Sequence, residues 1–228
     1  VDISWPRGIT TGPDNNIIHF ISVTYVSYMG QDNAFLYSRS SDGGATWDPE
    51  NHFFEDLGPD NYTNMGGDIY DFAEPKDGTL AFLVGDNWTD LVLMKSTDDG
   101  DSWDKTIIWE CPYPLNTGMP TDTFYSPDGS HHLAIDNDGL IHVVFSLTRS
   151  ITDDWATFSY YPGVDGVVYW NENMPPFSDD INALNPYDDA PYTELVEDYN
   201  LIGWTQDVNG NGELDILDDL PSYNAGLS

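Results

Sequence analysis

The sequence predicts an all-β protein assembled from repeated four-stranded antiparallel sheets. Three observations carry that expectation. An eight-residue pattern, Ser-x-Asp-x-Gly-x-x-Trp, fills positions 40–47 and returns at 96–103, each time after a short apolar run. Three hairpin-like units follow one layout, an apolar run, a turn cluster and a second apolar run. Their second runs begin at Ile17, Thr79 and Leu140, 62 and 61 residues apart. Aromatic residues make up 14% of the chain, and Gly and Pro number 20 and 15, a mix that suits short strands and tight turns better than helices.

The octapeptide has a local physical logic. Ser40 and Asp42, like Ser96 and Asp98, stand two residues apart and can hydrogen-bond nearby backbone N–H groups. Gly44 and Gly100 permit positive φ, and Trp47 and Trp103 can fold back over the turn as apolar lids. A rigid turn at the end of a strand follows. These octapeptides resemble the Asp-boxes, or BNR repeats, of the sialidase-like β-propeller family, where each joins the third and fourth strands of a blade. The resemblance implies a β-propeller of four-stranded antiparallel blades with Asp-box turns. It also implies that Ser40, Asp42, Gly44, Trp47, Ser96, Asp98, Gly100 and Trp103 are structural and lie on the rim, away from the central funnel where that family's ligands bind.

The elements fall in order along the chain. In the first repeat, residues 1–60, an apolar run at 9–11 leads through the turn cluster 12–16 to a second run at 17–23, and 34–37 supplies a third strand before the first octapeptide. The second repeat, 61–120, has runs at 69–72 and 79–84, a third strand at 91–94, the second octapeptide, and a fourth strand at 105–109. The third repeat, 121–182, has runs at 132–135 and 140–145 and a third strand at 166–170. There, 171–177 stands where an octapeptide would be, and an aromatic loop from Trp155 to Tyr161 precedes the strand. That loop offers a sugar-stacking surface or a packing surface for the neighbouring sheet, and packing is the preferred reading.

One such sheet cannot bury both of its faces, so neighbours must stack around an axis. At about 61 residues per unit, 228 residues make fewer than four units, whereas sialidase-like propellers commonly have six or more blades. The expectation for 1–228 is a single propeller-like domain, or part of one, with an incomplete set of about four blades.

The remainder, 183–228, is polar and acidic as far as Tyr199, then shows a short apolar strand at Leu201–Trp204. A dodecamer follows with oxygen-bearing side chains at loop positions 1, 3, 5, 9 and 12 (Asp207, Asn209, Asn211, Asp215 and Asp218) and Gly212 at position 6. It resembles the calcium loops of dockerins. The resemblance implies that Asp207, Asn209, Asn211 and Asp218 ligate Ca²⁺ through side chains, Glu213 through its carbonyl oxygen, and Asp215 directly or through water. The alternative is an Asn/Gly-rich turn without metal.

Charge narrows the function. Forty acidic residues face six Lys plus Arg, a net charge of -34 and a pI of 4.1, so nucleic acid and anionic membranes are repelled. So acidic a surface needs screening by salt or neutralisation by cations such as Ca²⁺. Cys111 is the only cysteine, and no apolar run reaches the roughly 18 residues of a membrane span. The chain begins at Val1 without a charged-then-apolar leader, the pattern of a processed or partly represented secreted protein, so an extracellular or cell-surface location is expected.

The preferred functional reading is a non-catalytic secreted or cell-surface β-propeller module for binding, adhesion or surface assembly, stabilised by Ca²⁺. Its partners would be carbohydrate or another surface protein chain within a larger assembly, without nucleic acid or membrane insertion, and no catalytic residue is assigned. The alternative is a sialidase-like glycoside hydrolase or the propeller fragment of a larger secreted hydrolase. Arg7 in Trp5-Pro6-Arg7 resembles the first arginine of that family's Arg-Ile-Pro motif. Those enzymes bind the substrate carboxylate with three arginines, and this chain has only Arg7, Arg39 and Arg149, with Arg39 beside an octapeptide at the rim. His131 and His132 should point to opposite faces of a strand, and His19 and His142 fall at equivalent repeat positions, which points to packing roles.

Overall fold

Strand composition already tells which sheet lies in the middle. In the second repeat, Leu80–Val84 and the first four residues of Leu91–Ser96 are unbroken apolar runs, and all of them are buried on both faces. The computed structural model describes residues 1–65, 67–115, 118–152, 166–186, 193–195 and 200–204, and the backbone of 158–160. Among these residues the chain is all-β, with its strands in three antiparallel sheets.

The first sheet runs in the order β1 (Ile3–Thr11), β2 (Ile17–Thr24), β3 (Phe35–Ser40) and β4 (His52–Phe53). The second runs β5 (Tyr70–Phe72), β6 (Leu80–Val84), β7 (Leu91–Ser96) and β8 (Asp104–Trp109). In the third, β9 (Phe124–Ile135) and β10 (Ile141–Thr152) form a long hairpin, β11 (Phe158–Tyr160) and β12 (Gly166–Asn171) pair with β10 on its other side, and β13 (Leu201–Trp204) is outermost.

Both faces of the second sheet are occupied. Phe82, Val84, Val92 and Met94 pack against Ile21, Val23, Phe35 and Tyr37 of the first sheet. Ala81, Leu83, Leu91 and Leu93 pack against Leu133, Val143, Phe145, Val168 and Trp170 of the third. Phe82 lies at ring-centroid distances of 5.3 to 6.5 Å from Trp103, Phe54, Phe72 and Phe35. Burial of one such side chain contributes about 1.5–3 kcal/mol, so this aromatic knot is a principal bond between the first two sheets.

The scarce cations also sit between sheets. Arg39 ends β3 and donates to Asp99 O at 2.9 Å and Asp101 Oδ1 at 2.6 Å, in the second sheet's octapeptide. Lys95 occupies the same place in β7, since β-pairing sets Arg39 beside His19 and Lys95 beside Ala81, the third residue of each second run. It donates to both carboxylate oxygens of Glu172, at 2.8 and 2.9 Å, in the turn after β12. The Glu172 carboxylate also accepts from Ile141 N at 2.9 Å.

The third sheet departs from its sequence grouping. Its outer strand is Leu201–Trp204, which lies beyond the third repeat, 121–182, and pairs with β12 through Gly166↔Trp204 and Val167↔Gly203. The cause is apolar. After β12 the chain is drawn to the second sheet, where buried Phe177 donates its N–H to Ile108 O at 2.7 Å and its carbonyl accepts from Glu110 N at 3.2 Å. The outer place beside β12 is thereby left to a later segment. No helix among the described residues is long and apolar enough to cross a membrane.

Candidate functional site

The register identifies equivalent positions on the three first strands. Arg7 pairs with Ile21, Asp71 with Leu83 and His132 with Val144, and each partner is the fifth residue of its repeat's second run. Arg7, Asp71 and His132 are therefore one position in three copies. They meet as a row across the inner edges of the sheets, with Arg7 Nη1 3.6 Å from Asp71 Oδ1 and His132 Nδ1 2.5 Å from Asp71 Oδ2.

Other groups complete the cluster. Arg7 Nη2 donates to Asp68 Oδ1 at 2.7 Å, Nη1 donates to the Tyr70 carbonyl, and the guanidinium lies 4.8 Å from the Tyr70 ring centroid. The Tyr70 hydroxyl donates to the Trp5 carbonyl, and burial pushes its pKa up to about 12. Trp5 has φ of 45°, a conformation costly for a non-glycine residue, and its indole is 43% exposed. The ring rests on Gly67, where a Cβ would come within 2.8 Å of it. His131 faces inward, with Nε2 3.1 Å from Ile69 O and Nδ1 buried without a partner, and burial lowers its pKa. His132 is exposed.

This arrangement has definite chemistry. Arg7 faces two carboxylates and a carbonyl, so both of its terminal nitrogens have partners within the protein. The outward groups are an indole face, two carboxylates and an imidazole. They can stack on a ring and exchange hydrogen bonds with hydroxyls.

The octapeptides form a second region. Ser40 Oγ donates to Asp42 Oδ1 at 2.8 Å and accepts from Gly44 N at 2.8 Å; Thr46 donates to Asp42 from N at 2.8 Å and from Oγ1 at 2.7 Å. In the second copy the Ser96–Asp98 bond is 2.7 Å, Gly100 N–Ser96 Oγ 2.8 Å, and Ser102 donates to Asp98 at 2.9 and 2.6 Å. These bonds hold both carboxyls at a pKa of about 2, led by the Thr46 N–H for Asp42 and the Ser102 hydroxyl for Asp98. Gly44 and Gly100 have φ of 93° and 85°. Trp103 packs edge-on to Tyr37 at 5.3 Å, whereas Trp47 remains 37% exposed with its ring 6.4 Å from Phe20.

The other sequence-derived residues fall as follows. Arg7 is in the inner row, Arg39 reaches the second octapeptide, and Arg149 lies on β10 opposite Tyr125, so the three arginines stand at three separate places. His19 is buried, with Nε2 2.8 Å from Thr11 Oγ1 and Nδ1 2.8 Å from Tyr37 OH, and burial lowers its pKa to about 4. His142 makes the matching contact to Tyr169 OH at 2.7 Å and a second to Asp136 Oδ2 at 3.1 Å. The calcium-type loop, with Asp207, Asn209, Asn211, Glu213, Asp215 and Asp218, lies outside the described residues, as do Trp155 and Tyr161 of the aromatic loop. Among the described residues no group of His, Cys, Asp or Glu is arranged to hold a metal ion.

No protein-family model matches the sequence. Among solved structures, the chain is similar to the α-L-arabinofuranosidase Arb93A from Fusarium graminearum in complex with an iminosugar inhibitor, at 14% identity over 78% of this chain and 60% of that one, with a TM-score of 0.36. A mutant form of the same enzyme gives 13% identity, coverages of 76% and 63%, and a TM-score of 0.38. The GH43 BlXynB protein from Bacillus licheniformis gives 16% identity over 71% of this chain and 30% of that one, with a TM-score of 0.34. The chain thus spans less than two thirds of the length of each of these proteins.

Proposed function

We propose that the chain is an Asp-box β-propeller module, or part of one, of a secreted or cell-surface protein, and that it binds neutral carbohydrate at the inner strand ends without cleaving it. The observation that carries this reading is the inner row. Three equivalent positions hold Arg7, Asp71 and His132, and beside them a strained, exposed Trp5 presents its ring. An aromatic face flanked by carboxylates suits a ring bearing hydroxyls, while the net charge of -34 disfavours anionic ligands.

The test is titration calorimetry of the chain with neutral pentose and hexose oligosaccharides, together with an assay for released reducing ends. Binding without release is the expected outcome. Release that stops in Asp71→Asn would place the chain with the alternative, the propeller part of a glycoside hydrolase, because Asp71 is the carboxylate that Arg7 and His132 both face. Absence of both binding and release removes the carbohydrate reading.

Calcium stabilisation is part of the same proposal and rests on the spacing of Asp207, Asn209, Asn211, Asp215 and Asp218 about Gly212. Millimolar Ca²⁺ should raise the melting temperature, by linkage between binding and folding, and Asp207→Ala should abolish that rise. An equal response in the variant would leave the loop a turn without metal.

A further inference from the structure

The third sheet repeats a contact surface of the first sheet that, in the first, is covered. His19 Nδ1 lies 2.8 Å from Tyr37 OH and His142 Nδ1 lies 2.7 Å from Tyr169 OH, with the rings stacked at interplanar angles of 14° and 25°. Pairing sets His19 beside Arg39 and His142 beside Asn171, so the two pairs occupy equivalent places. The first pair is closed by the second sheet's octapeptide: a Cβ at Gly100 would overlap the Tyr37 hydroxyl and lie 3.5 Å from His19 Nδ1, Trp103 packs on Tyr37, and Arg39 reaches Asp101. The second pair is half-buried, and Val144 on the same face is 36% exposed.

The complementary surface is also on this chain. The first sheet's octapeptide has the same turn, but a Cβ at Gly44 would meet only Ile18 Cδ1, at 3.6 Å, and Trp47 is exposed. Charge matches as well. By position in the octapeptide, Ala45 stands where Asp101 does, and by pairing Asn171 stands where Arg39 does. The Arg39–Asp101 ion pair is therefore replaced by two neutral residues at once, so bringing these surfaces together strands neither member of that pair.

We propose that chains associate head to tail, the third sheet of one receiving the first sheet's octapeptide turn of a second copy, with Gly44 seated over Tyr169. The contact joins two different surfaces, so it closes into a ring or continues as a filament according to the angle between chains. It carries the existing sheet-on-sheet packing across to another molecule, and it stands independently of the carbohydrate reading.

The test is light scattering of the full 228-residue chain over a concentration series in about 1 M NaCl, where repulsion between two strongly acidic chains is screened. The mass should rise above 25.5 kDa with concentration. Val144→Lys, on the exposed face, should hold it at 25.5 kDa with circular dichroism and melting unchanged. Combining Asn171→Arg with Ala45→Asp rebuilds the ion pair and should tighten association about two- to five-fold relative to either single change. A wild-type mass of 25.5 kDa at every concentration would overturn the proposal. So would association that neither Val144→Lys nor the paired charge change affects.

Discussion

The inner row and the octapeptide turns are both repeated features, but they repeat in opposite ways. In the turns, the same residue types make the same bonds to within about 0.1 Å, Ser40 and Asp42 in one copy and Ser96 and Asp98 in the other. In the inner row, one backbone position carries arginine, aspartate and histidine. A turn that must satisfy its own backbone N–H groups leaves little choice of side chain. A position within a strand has its backbone needs met by the ladder, so its side chain is free to vary from sheet to sheet. Sameness marks what the fold requires, and difference at matched positions marks where binding can reside.

The largest expected effect comes from the turn that meets another sheet. Gly100→Ala puts a Cβ onto the Tyr37 hydroxyl at a φ of 85° and should cost about 2–4 kcal/mol by thermal or chemical unfolding. Gly44→Ala, at a φ of 93° with an open approach, should cost only about 1 kcal/mol. Equal losses would mean that the two turns are not distinguished by what they touch. Next is the third sheet, whose turn leans on a long-range ion pair and not on an octapeptide. Glu172→Gln weakens the Lys95 contact and the Ile141 N–H bond together and should cost about 1–2 kcal/mol, with a smaller loss in about 1 M NaCl. A loss independent of salt would argue against the charge contribution.

Local features were legible in the sequence, as was the equivalence of His19 and His142 on the second runs, but the matched positions on the first strands were not. Residues 40–47 and 96–103 announce their turns because the Ser and Asp side-chain bonds that shape them all lie within four residues. The apolar runs at 79–84 and 91–94 likewise announce strands. Asp71 went unrecognised because placing it beside Arg7 and His132 requires the pairing register of three hairpins whose turns differ in length, the partners standing 14 residues apart for Arg7 and Ile21 but 12 apart for Asp71 and Leu83 and for His132 and Val144. Counting back from Ile21, Leu83 and Val144 to their partners was the signal that could have found it. Leu201–Trp204 read as a strand but not as the third sheet's outer strand, since its place depends on Phe177 being drawn to the second sheet.

Acid should separate buried from local stabilisation. His19 is held near a pKa of 4 against an ordinary 6.5, chiefly by burial, with Asp99 opposing. The unfolded chain takes up that proton first, so stability is fully present above pH 6.5 and is lost as pH falls from 6.5 toward 4. Asp42 and Asp98 titrate near 2 against 3.8, so their contribution is present above pH 3.8 and disappears between 3.8 and 2. His19→Gln should flatten the upper step and leave the lower one, as read by denaturant midpoints across pH. A full upper step in the variant would assign it to other groups.

The most direct measurement is a side-by-side comparison of Trp5→Ala and Asp98→Ala, each followed by melting and by calorimetric titration with neutral oligosaccharide. The account predicts that Trp5→Ala abolishes binding with little change in melting, because its exposed ring serves the ligand. Asp98→Ala should lower the melting temperature by a few degrees and leave affinity unchanged, because its bonds lie within its own turn. Loss of binding in Asp98→Ala at unchanged melting, with Trp5→Ala binding normally, would contradict the assignment of function to the inner row.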